Sequence, residues 1–214
     1  MTSLPAVERA LKSLFPPEVA VAAERIGLHD LASLWPEERQ AIANAVPRRQ
    51  AEFAAGRTAA RRVLASLGHE AAALPVGLDR AALWPEGLCG SIAHDAGHAI
   101  AVGRRGAPLG VDLEPDTPLE DALWPVICSP EELEMLKGDT ARLVRRVFCA
   151  KEAVFKAQPP APRALFGFEA VAVTLAEDGF NAQFRADVGA FRLGQVLTGR
   201  LALVDGMVLA GVAW

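Results

Sequence analysis

The sequence predicts an α+β fold, in which helices and antiparallel strands occupy separate stretches of the chain. Two observations support this class. Helical segments, several of them opened by proline, fill much of the chain before residue 159, and a run of strand-like segments fills its end. A total of 214 residues is enough for one large domain or two small ones, and half of the residues are apolar, so a sizeable core can form.

Proline marks the starts of the early helices. Pro36 opens a predicted helix to about Ala45, and Pro47 begins a longer helix that ends at Gly68 as a C-terminal cap. On the longer helix, Phe53 belongs to an apolar stripe with residues 60, 64 and 67. This stripe predicts a helix with one face against the core.

The middle of the chain is predicted to be a loop followed by a hairpin. Residues 75–90 are punctuated by proline and glycine, which is typical of a loop. Residues 98–102 and 109–113 are short apolar runs separated by Arg104-Arg105-Gly106-Ala107. Two such runs around a glycine turn predict an antiparallel hairpin.

The second half begins with helices and ends with strands. Ser129 and Pro130 supply an N-cap and a first helical residue for a short helix to Lys137, and a longer helix runs from about Thr140 to a stop before Pro159. Strands are predicted at 168–175, 180–184, 194–204 and 207–214, the last two joined across a turn at 205–206. The order of elements suggests two similar halves, residues 1–107 and 108–214.

Composition and charge restrict the functional class. The formal net charge of −4 argues against non-specific nucleic-acid binding, which needs a basic face. The sequence shows no signal peptide and no membrane span, which makes the cytoplasm the expected compartment. Cys89, Cys128 and Cys149 have no metal-binding spacing and are predicted to be free, buried thiols.

Two carboxylates share one face of a predicted strand. Alternation along the segment 109–115 points Asp112 and Glu114 the same way, with Val111 and Leu113 on the other face. One interpretation is a strand end that faces water. The other is a divalent cation that relieves the repulsion between the carboxylates, and oxygen ligands without His or Cys favour Mg²⁺.

A second charged cluster lies on the later helix. Glu152 and Lys156 are one helical turn apart, and Phe148 and Phe155 lie on the same side as Glu152. An exposed ion pair would not need these apolar neighbours. The pattern therefore favours a pocket wall in which Glu152 is a third metal ligand, while Lys151 and Lys156 bind phosphate oxygens.

Four ordered motifs carry a family resemblance. They are R-x-x-E-F-x-x-G-R at 49–57, W-P-x-G followed by G-S-x-x-H at 84–94, G-V-D-x-E at 110–114, and F-x-x-K-E-A-x-x-K at 148–156. In this order the sequence resembles the 4′-phosphopantetheinyl transferase superfamily, of the larger two-halved type that includes enterobactin synthase component D.

The resemblance implies a fold and an activity. The fold would be a monomer of two similar α+β halves about a pseudo-twofold axis, with coenzyme A across the seam. The enzyme would transfer the phosphopantetheine arm of coenzyme A to a serine of an apo acyl or peptidyl carrier protein and release adenosine 3′,5′-bisphosphate. The pathway of that carrier, and the choice between Mg²⁺ and Mn²⁺, stay open.

The resemblance also implies roles for particular residues, carried over by position. Asp112, Glu114 and Glu152 would hold Mg²⁺, and Glu152 would help to deprotonate the serine. The residues expected to contact phosphate oxygens of coenzyme A are His94, Lys151 and Lys156, with Arg49 and Arg57 at the 3′-phosphate.

One departure and two alternatives accompany this interpretation. Relatives often carry a basic residue near positions 74–77, where this chain has none. Either Arg80 substitutes for it or the pocket holds one cation fewer. The alternatives are an inactive module that binds coenzyme A or a carrier, and another Mg²⁺-dependent phosphoryl-transfer enzyme such as a nuclease.

Overall fold

The structure, a computed structural model, describes residues 3–28, 31–159 and 164–214 and confirms the α+β class. The helices are α1 (Leu4–Leu14), α2 (Pro36–Ile42), α3 (Pro47–Ser66), α4 (Trp124–Ile127), α5 (Pro130–Met135) and α6 (Thr140–Lys156). The strands are β1 (Ala20–Arg25), β2 (Leu88–Asp95), β3 (His98–Arg105), β4 (Leu109–Pro115), β5 (Val171–Leu175), β6 (Gly179–Phe184), β7 (Val196–Val204) and β8 (Met207–Ala213).

The strands form two antiparallel sheets. A three-stranded sheet has the order β1-β3-β2, and a five-stranded sheet has the order β4-β8-β7-β6-β5. The long helix α3 packs on the first sheet and the long helix α6 packs on the second. Each half of the chain therefore combines one sheet with one long helix.

The predicted hairpin between residues 98–102 and 109–113 is wrong. Strand β3 pairs with β1 on one side and β2 on the other, whereas β4 pairs with β8 of the second sheet. The turn between them exists, but it carries the chain from one sheet to the other. The Arg104 side chain stabilises this passage, because its guanidinium donates to the carbonyl oxygens of Ala107, Pro108 and Trp214 at 2.7–2.9 Å.

Strands β2 and β4 lie next to each other where the two halves meet. The backbone N–H of Val111 donates to the Ser91 hydroxyl at 3.1 Å, and both residues are buried. Strand β4 therefore has the ladder of β8 on one edge and a side-chain acceptor from the other half on its second edge.

A buried glutamate occupies a similar place in each half. Glu38 near the start of α2 and Glu132 near the start of α5 are both almost completely inaccessible to solvent. Each accepts the backbone N–H of the residue that precedes its helix, at 3.0 and 2.9 Å respectively. Each also pairs with a cation of the following long helix, Arg61 on α3 and Lys151 on α6, at 2.9 Å.

Other predictions agree with the structure. The boundaries of α3 and α6 and the final strand pair match the sequence patterns, and Pro160, beyond the predicted end of α6, lies outside the described residues. The three cysteines are free and buried. Within the described ranges, no helix is both long and apolar enough to cross a membrane.

Candidate functional site

The candidate site is a cleft of about 230 Å³ between the two halves. Strand β2 and helix α3 form one wall, and the C-terminal end of α6 forms the other. Its charged lining residues are Arg49, Glu52, Arg57, Asp79, Arg80, His94, Glu152 and Lys156. Seven of its apolar or small lining residues are Phe53, Gly56, Trp84, Gly90, Ile92, Phe155 and Leu165.

Asp112 is 4 % exposed and faces α6 from strand β4. Its Oδ1 accepts from the ammonium of Lys156 at 2.5 Å, whereas its Oδ2 is buried and has no hydrogen-bond partner. Burial raises the pKa of the Asp112 carboxyl, against the lowering effect of Lys156. A strand end that faces water is excluded, because this carboxylate is inside the protein.

Glu114 shares the α6 side of β4 with Asp112. Its Oε2 accepts from Arg145 of α6 at 2.9 Å. Burial raises the pKa of Glu114 to about 7, and the charges of Asp112 and Asp95 add to the rise. The two carboxylates are therefore close enough to repel each other, as their alternation on the strand predicted.

Glu152 lies on α6 and lines the cleft. Burial raises its pKa, Lys156 opposes the rise, and Asp112 adds to it. Among the residues that the structure describes, no three His, Cys, Asp or Glu side chains are grouped as ligands of one metal ion. Lys156 pairs with Asp112 and Arg145 pairs with Glu114, and the three-carboxylate metal site stays a prediction.

The donor set still fits a hard divalent cation. Asp112 Oδ2 is a buried carboxylate oxygen without a partner, and such an atom is costly unless a cation or water satisfies it. Two carboxylates from one strand are enough for Mg²⁺, which usually retains several waters and borrows phosphate oxygens. Asp112 and Glu114 are the residues that would hold the ion.

Lys156 supplies a positive charge inside the cleft. Burial alone would lower its pKa, but Asp112 and Glu152 raise it overall, so the side chain stays an ammonium. Lys156 follows Glu152 by one turn of α6, as the sequence predicted, although its hydrogen-bond partner is Asp112.

His94 lies on β2 and is flanked by residues of α3. Its Nε2 contacts the guanidinium of Arg49, and its Nδ1 lies 3.6 Å from Glu52 Oε2. Burial and the charge of Arg49 lower the pKa of His94. Glu52 also accepts from Arg48 and Arg49 at 2.9 and 3.4 Å, so it holds these two arginines in place.

Arg57 is buried and lines the same cleft. Its Nε donates to the Leu74 carbonyl at 2.8 Å, and its guanidinium lies 4.1 Å from the centre of the Phe53 ring. Burial lowers the pKa of Arg57 to about 10, which leaves it charged at neutral pH. Arg80 lines the same cleft on a backbone with φ of 65°, an uncommon value for a residue other than glycine.

Lys151 is bound within the C-terminal half of the protein. Its ammonium is 4 % exposed and donates to Glu132 and to the carbonyls of Ile127 and Phe168, at 2.7–3.1 Å. All three ammonium hydrogens have acceptors within the C-terminal half, and Lys151 does not line the cleft. The contact of Lys151 with phosphate stays a prediction, and these contacts do not support it.

Two functional candidates were missing from the site predicted from the sequence. Glu52 stood in the R-x-x-E-F motif, but nothing in the pattern showed that it contacts His94, 42 positions further on in the chain. No sequence pattern pointed to Arg145, because a cation on an amphipathic helix is usually solvated. Its pairing with Glu114 depends on the packing of α6 on β4.

The fold and the site define a class of protein. A cleft lined by Glu152, several arginines and a lysine that binds a buried carboxylate suits a phosphorylated ligand and the transfer of a phosphoryl group. Residues 37–103 match the family described as the 4′-phosphopantetheinyl transferase N-terminal domain, and residues 108–198 match the 4′-phosphopantetheinyl transferase superfamily.

Curated relatives agree with these matches. The chain is 36 % identical over 193 residues to 4′-phosphopantetheinyl transferase Svp of Streptomyces mobaraensis, covering 84 % of this chain and 78 % of that protein. It is 36 % identical over 191 residues to 4′-phosphopantetheinyl transferase PptT of Mycobacterium tuberculosis, covering 83 % and 84 %. Enterobactin synthase component D of Salmonella typhi is 38 % identical over 135 residues, covering 60 % of this chain and 56 % of that protein.

The chain belongs to the 4′-phosphopantetheinyl transferase superfamily. It is a transferase that modifies carrier proteins, and coenzyme A is the donor in this superfamily, generally with a divalent metal.

Proposed function

We propose that the cleft binds coenzyme A with its nucleotide 3′-phosphate near Arg57 and its diphosphate between His94 and Lys156. The observation that supports this orientation most strongly is the set of charges around the cleft. Arg57 and Arg80 line the part called its arginine end, while Lys156 also lines the cleft and binds Asp112, whose Oδ2 is unpartnered. A diphosphate with a metal ion suits Lys156 and Asp112, and a terminal phosphate suits arginine.

The reaction requires the hydroxyl oxygen of a carrier serine to attack the phosphorus that bears the pantetheine arm. A bond forms between the serine oxygen and this phosphorus, and the bond to the bridging diphosphate oxygen breaks. Adenosine 3′,5′-bisphosphate leaves with the electron pair, and the serine loses its proton. Little covalent chemistry falls to the protein, so positioning and charge neutralisation are its main contributions.

We assign the serine proton to Glu152. Its carboxylate lines the cleft, and burial raises its pKa above that of an ordinary glutamate, which makes it a better proton acceptor. Lys156 lies one turn away and would neutralise charge on the leaving diphosphate oxygen. His94 would hold a phosphate oxygen beside it, and Arg49, which contacts His94, would join Arg57 at the 3′-phosphate.

The divalent ion is Mg²⁺ in this proposal, with Mn²⁺ as the physiological alternative. Asp112 and Glu114 would hold it, and Glu152 would join them when the substrate is present. When bound, the ion polarises the diphosphate oxygens and neutralises their charge. For Asp112 this requires that the Lys156 ammonium share or release the carboxylate.

The acceptor in this proposal is an apo acyl or peptidyl carrier protein, bound by a monomeric enzyme. Matches to component D of enterobactin synthase lead us to place carriers of siderophore and other secondary-metabolite synthesis among the candidates. Fatty-acid and polyketide carriers are the competing substrates.

Carrier loading tests the function directly. The enzyme is incubated with coenzyme A, Mg²⁺ and a panel of apo carriers, and the intact mass of each carrier is measured. A gain equal to the phosphopantetheine arm on at least one carrier, and none on a carrier whose acceptor serine is replaced by alanine, is expected. If no carrier gains mass although coenzyme A binds, the chain is a binding module.

A further inference from the structure

Outside the cleft, Glu38 is a buried carboxylate for which the proposed reaction has no use. Glu38 is 0 % exposed and accepts from Arg61 at 2.9 and 3.0 Å and from the backbone N–H groups of Trp35 and Leu74 at 3.0 and 2.8 Å. A buried charge is costly to desolvate even when it is paired. These contacts satisfy the carboxylate but do not by themselves give it a function.

The backbone of Leu74 links Glu38 to the cleft. Its N–H donates to Glu38 Oε1 at 2.8 Å, and its carbonyl accepts from Arg57 Nε at 2.8 Å. The carboxylate thus holds the N–H of Leu74, and the carbonyl of the same residue holds the guanidinium of Arg57. With Nε bound in this way and the guanidinium carbon 4.1 Å from the centre of the Phe53 ring, the remaining nitrogens of Arg57 have a defined direction.

Leu74 also begins the segment that carries Arg80. Beyond Leu74 the chain forms a short hairpin, closed by a bridge between Val76 and Ala82 and by a hydrogen bond from Leu83 N to Pro75 O at 2.9 Å. Arg80 lies in its turn with φ of 65°, and it lines the cleft with Arg57. Such a backbone conformation persists only where neighbouring structure determines it. Glu38 fixes the base of this hairpin.

We infer that Glu38 is a positioning residue for the arginine end of the cleft, acting through Leu74 on Arg57 and on the hairpin that presents Arg80. This inference rests on the proposed function, because it assumes that the arginine end receives the 3′-phosphate of coenzyme A. Arg80 then supplies the cation that residues 74–77 lack in this chain.

The two halves provide a matched control. Glu132 is buried in the same way at the start of α5, where it accepts from Lys151, Ser129 N and Val173 N at 2.7–2.9 Å. Its hydrogen bonds connect it to α6 and to β5 of the second sheet, and none of these partners is an arginine of the cleft. Glu132→Gln therefore removes a comparable buried charge without touching the arginine end.

The experiment compares the affinities of coenzyme A and dephospho-coenzyme A by calorimetry. Wild type is expected to prefer coenzyme A, and Glu38→Gln is expected to lose about tenfold of that preference, the scale of one charge-assisted hydrogen bond. Glu132→Gln is expected to keep the wild-type preference. Because the readout is a ratio, a smaller folded fraction does not change it. If Glu38→Gln fails to fold, Glu38→Asp withdraws the carboxylate from Leu74 while keeping its charge.

A double-mutant cycle tests whether Glu38 acts through Arg57. If it does, adding Glu38→Gln to Arg57→Ala leaves the preference at the value of the single Arg57→Ala variant, apart from the part contributed by Arg80. An unchanged preference in Glu38→Gln and Glu38→Asp, or an equal weakening of both ligands, would overturn the inference while leaving the proposed function intact. Failure of wild type to prefer coenzyme A would overturn the arginine-end assignment itself, and the inference with it.

Discussion

At the scale of single residues, Asp112 has a carboxylate that is costly to bury and that the proposed reaction uses. Its carboxylate is buried with one oxygen on Lys156 and the other without a partner. A carboxylate in this state costs folding free energy, and the cation that we propose at this site would reduce that cost. Residue patterns could predict that Asp112 and Glu114 share a face, because strands alternate. They could not predict that Lys151 points away from the cleft, because three acceptors from distant segments surround its ammonium.

Asp112→Asn should lower turnover in the carrier-loading assay by about a hundredfold or more, because the amide keeps the shape of the side chain but loses a metal ligand and the charge facing Lys156. The control is Asp116→Asn. Asp116 directly follows β4 and is bound by Arg146 at 3.0 Å, not by Lys156, so turnover of this variant should stay within about threefold of wild type. Near-normal turnover of Asp112→Asn would show that the metal lies elsewhere.

Lys151→Met should destabilise the protein without weakening coenzyme A. Removing the ammonium leaves Glu132 as a buried carboxylate without its cation, and breaking such a pair costs about 3–5 kcal/mol. Denaturant unfolding measures the loss, and calorimetry on the folded variant measures coenzyme A. Weaker coenzyme A binding with unchanged stability would contradict this role and restore Lys151 to the phosphate.

Among the elements, the contact of α6 with β4 determines where the side chains that we propose for catalysis lie. Gly110 of β4 lies directly under the backbone of α6, where a Cβ atom would come 2.0 Å from Ala153 O and 2.6 Å from Ala157 N. This close approach brings Lys156 to Asp112 and Arg145 to Glu114. The glycine of the G-V-D-x-E motif is therefore a packing requirement of the site.

Gly110→Ala should displace α6 and lower turnover by about tenfold or more, because the clashing atoms belong to the backbone and cannot move separately. A general loss of stability is excluded with Val111→Ala, which removes a buried side chain from the opposite face of the same strand. Both variants should lose about 1–3 kcal/mol of stability. Under conditions where both variants are folded, only Gly110→Ala should have a lower turnover than wild type. Equal turnover of the two variants would contradict the requirement for glycine.

The helices were predictable because proline, capping residues and an apolar stripe mark α3, α5 and α6 in the local sequence. The strand pairing of the first sheet was not. Strand β2 mixes glycine, serine, alanine and histidine without alternation, so its sequence predicts a loop for residues 88–90. Strand β4 looked like the neighbour of β3 in a hairpin, and only the occupation of both edges of β3 by β1 and β2 excludes that pairing.

At the scale of the whole molecule, folding brings three carboxylates close together at the seam, the region where β2 lies beside β4. Asp95 comes from the first half, Asp112 and Glu114 come from the second, and together with burial the two aspartates raise the pKa of Glu114 to about 7. The sequence showed the pair on β4 but not the contribution of Asp95, which requires β2 to lie beside β4. The seam is therefore both the site of the cleft and a source of instability in the absence of a cation.

The raised pKa of Glu114 predicts that the stability of the protein without metal depends on pH. The pKa of Glu114 rises from its ordinary value of 4.5 to about 7 on folding, so between these values the folded state binds more protons than the unfolded state. The contribution of Glu114 to the free energy of unfolding is therefore largest below about pH 4.5 and is lost as the pH rises through about 7. Glu114→Gln removes this titration and keeps the size of the side chain. With a chelator present, denaturant unfolding at pH 5.5 and pH 8 should show wild type losing more stability than Glu114→Gln over that interval. Identical losses in the two proteins would mean that Glu114 is already ionised at pH 5.5 and that the seam does not hold its proton.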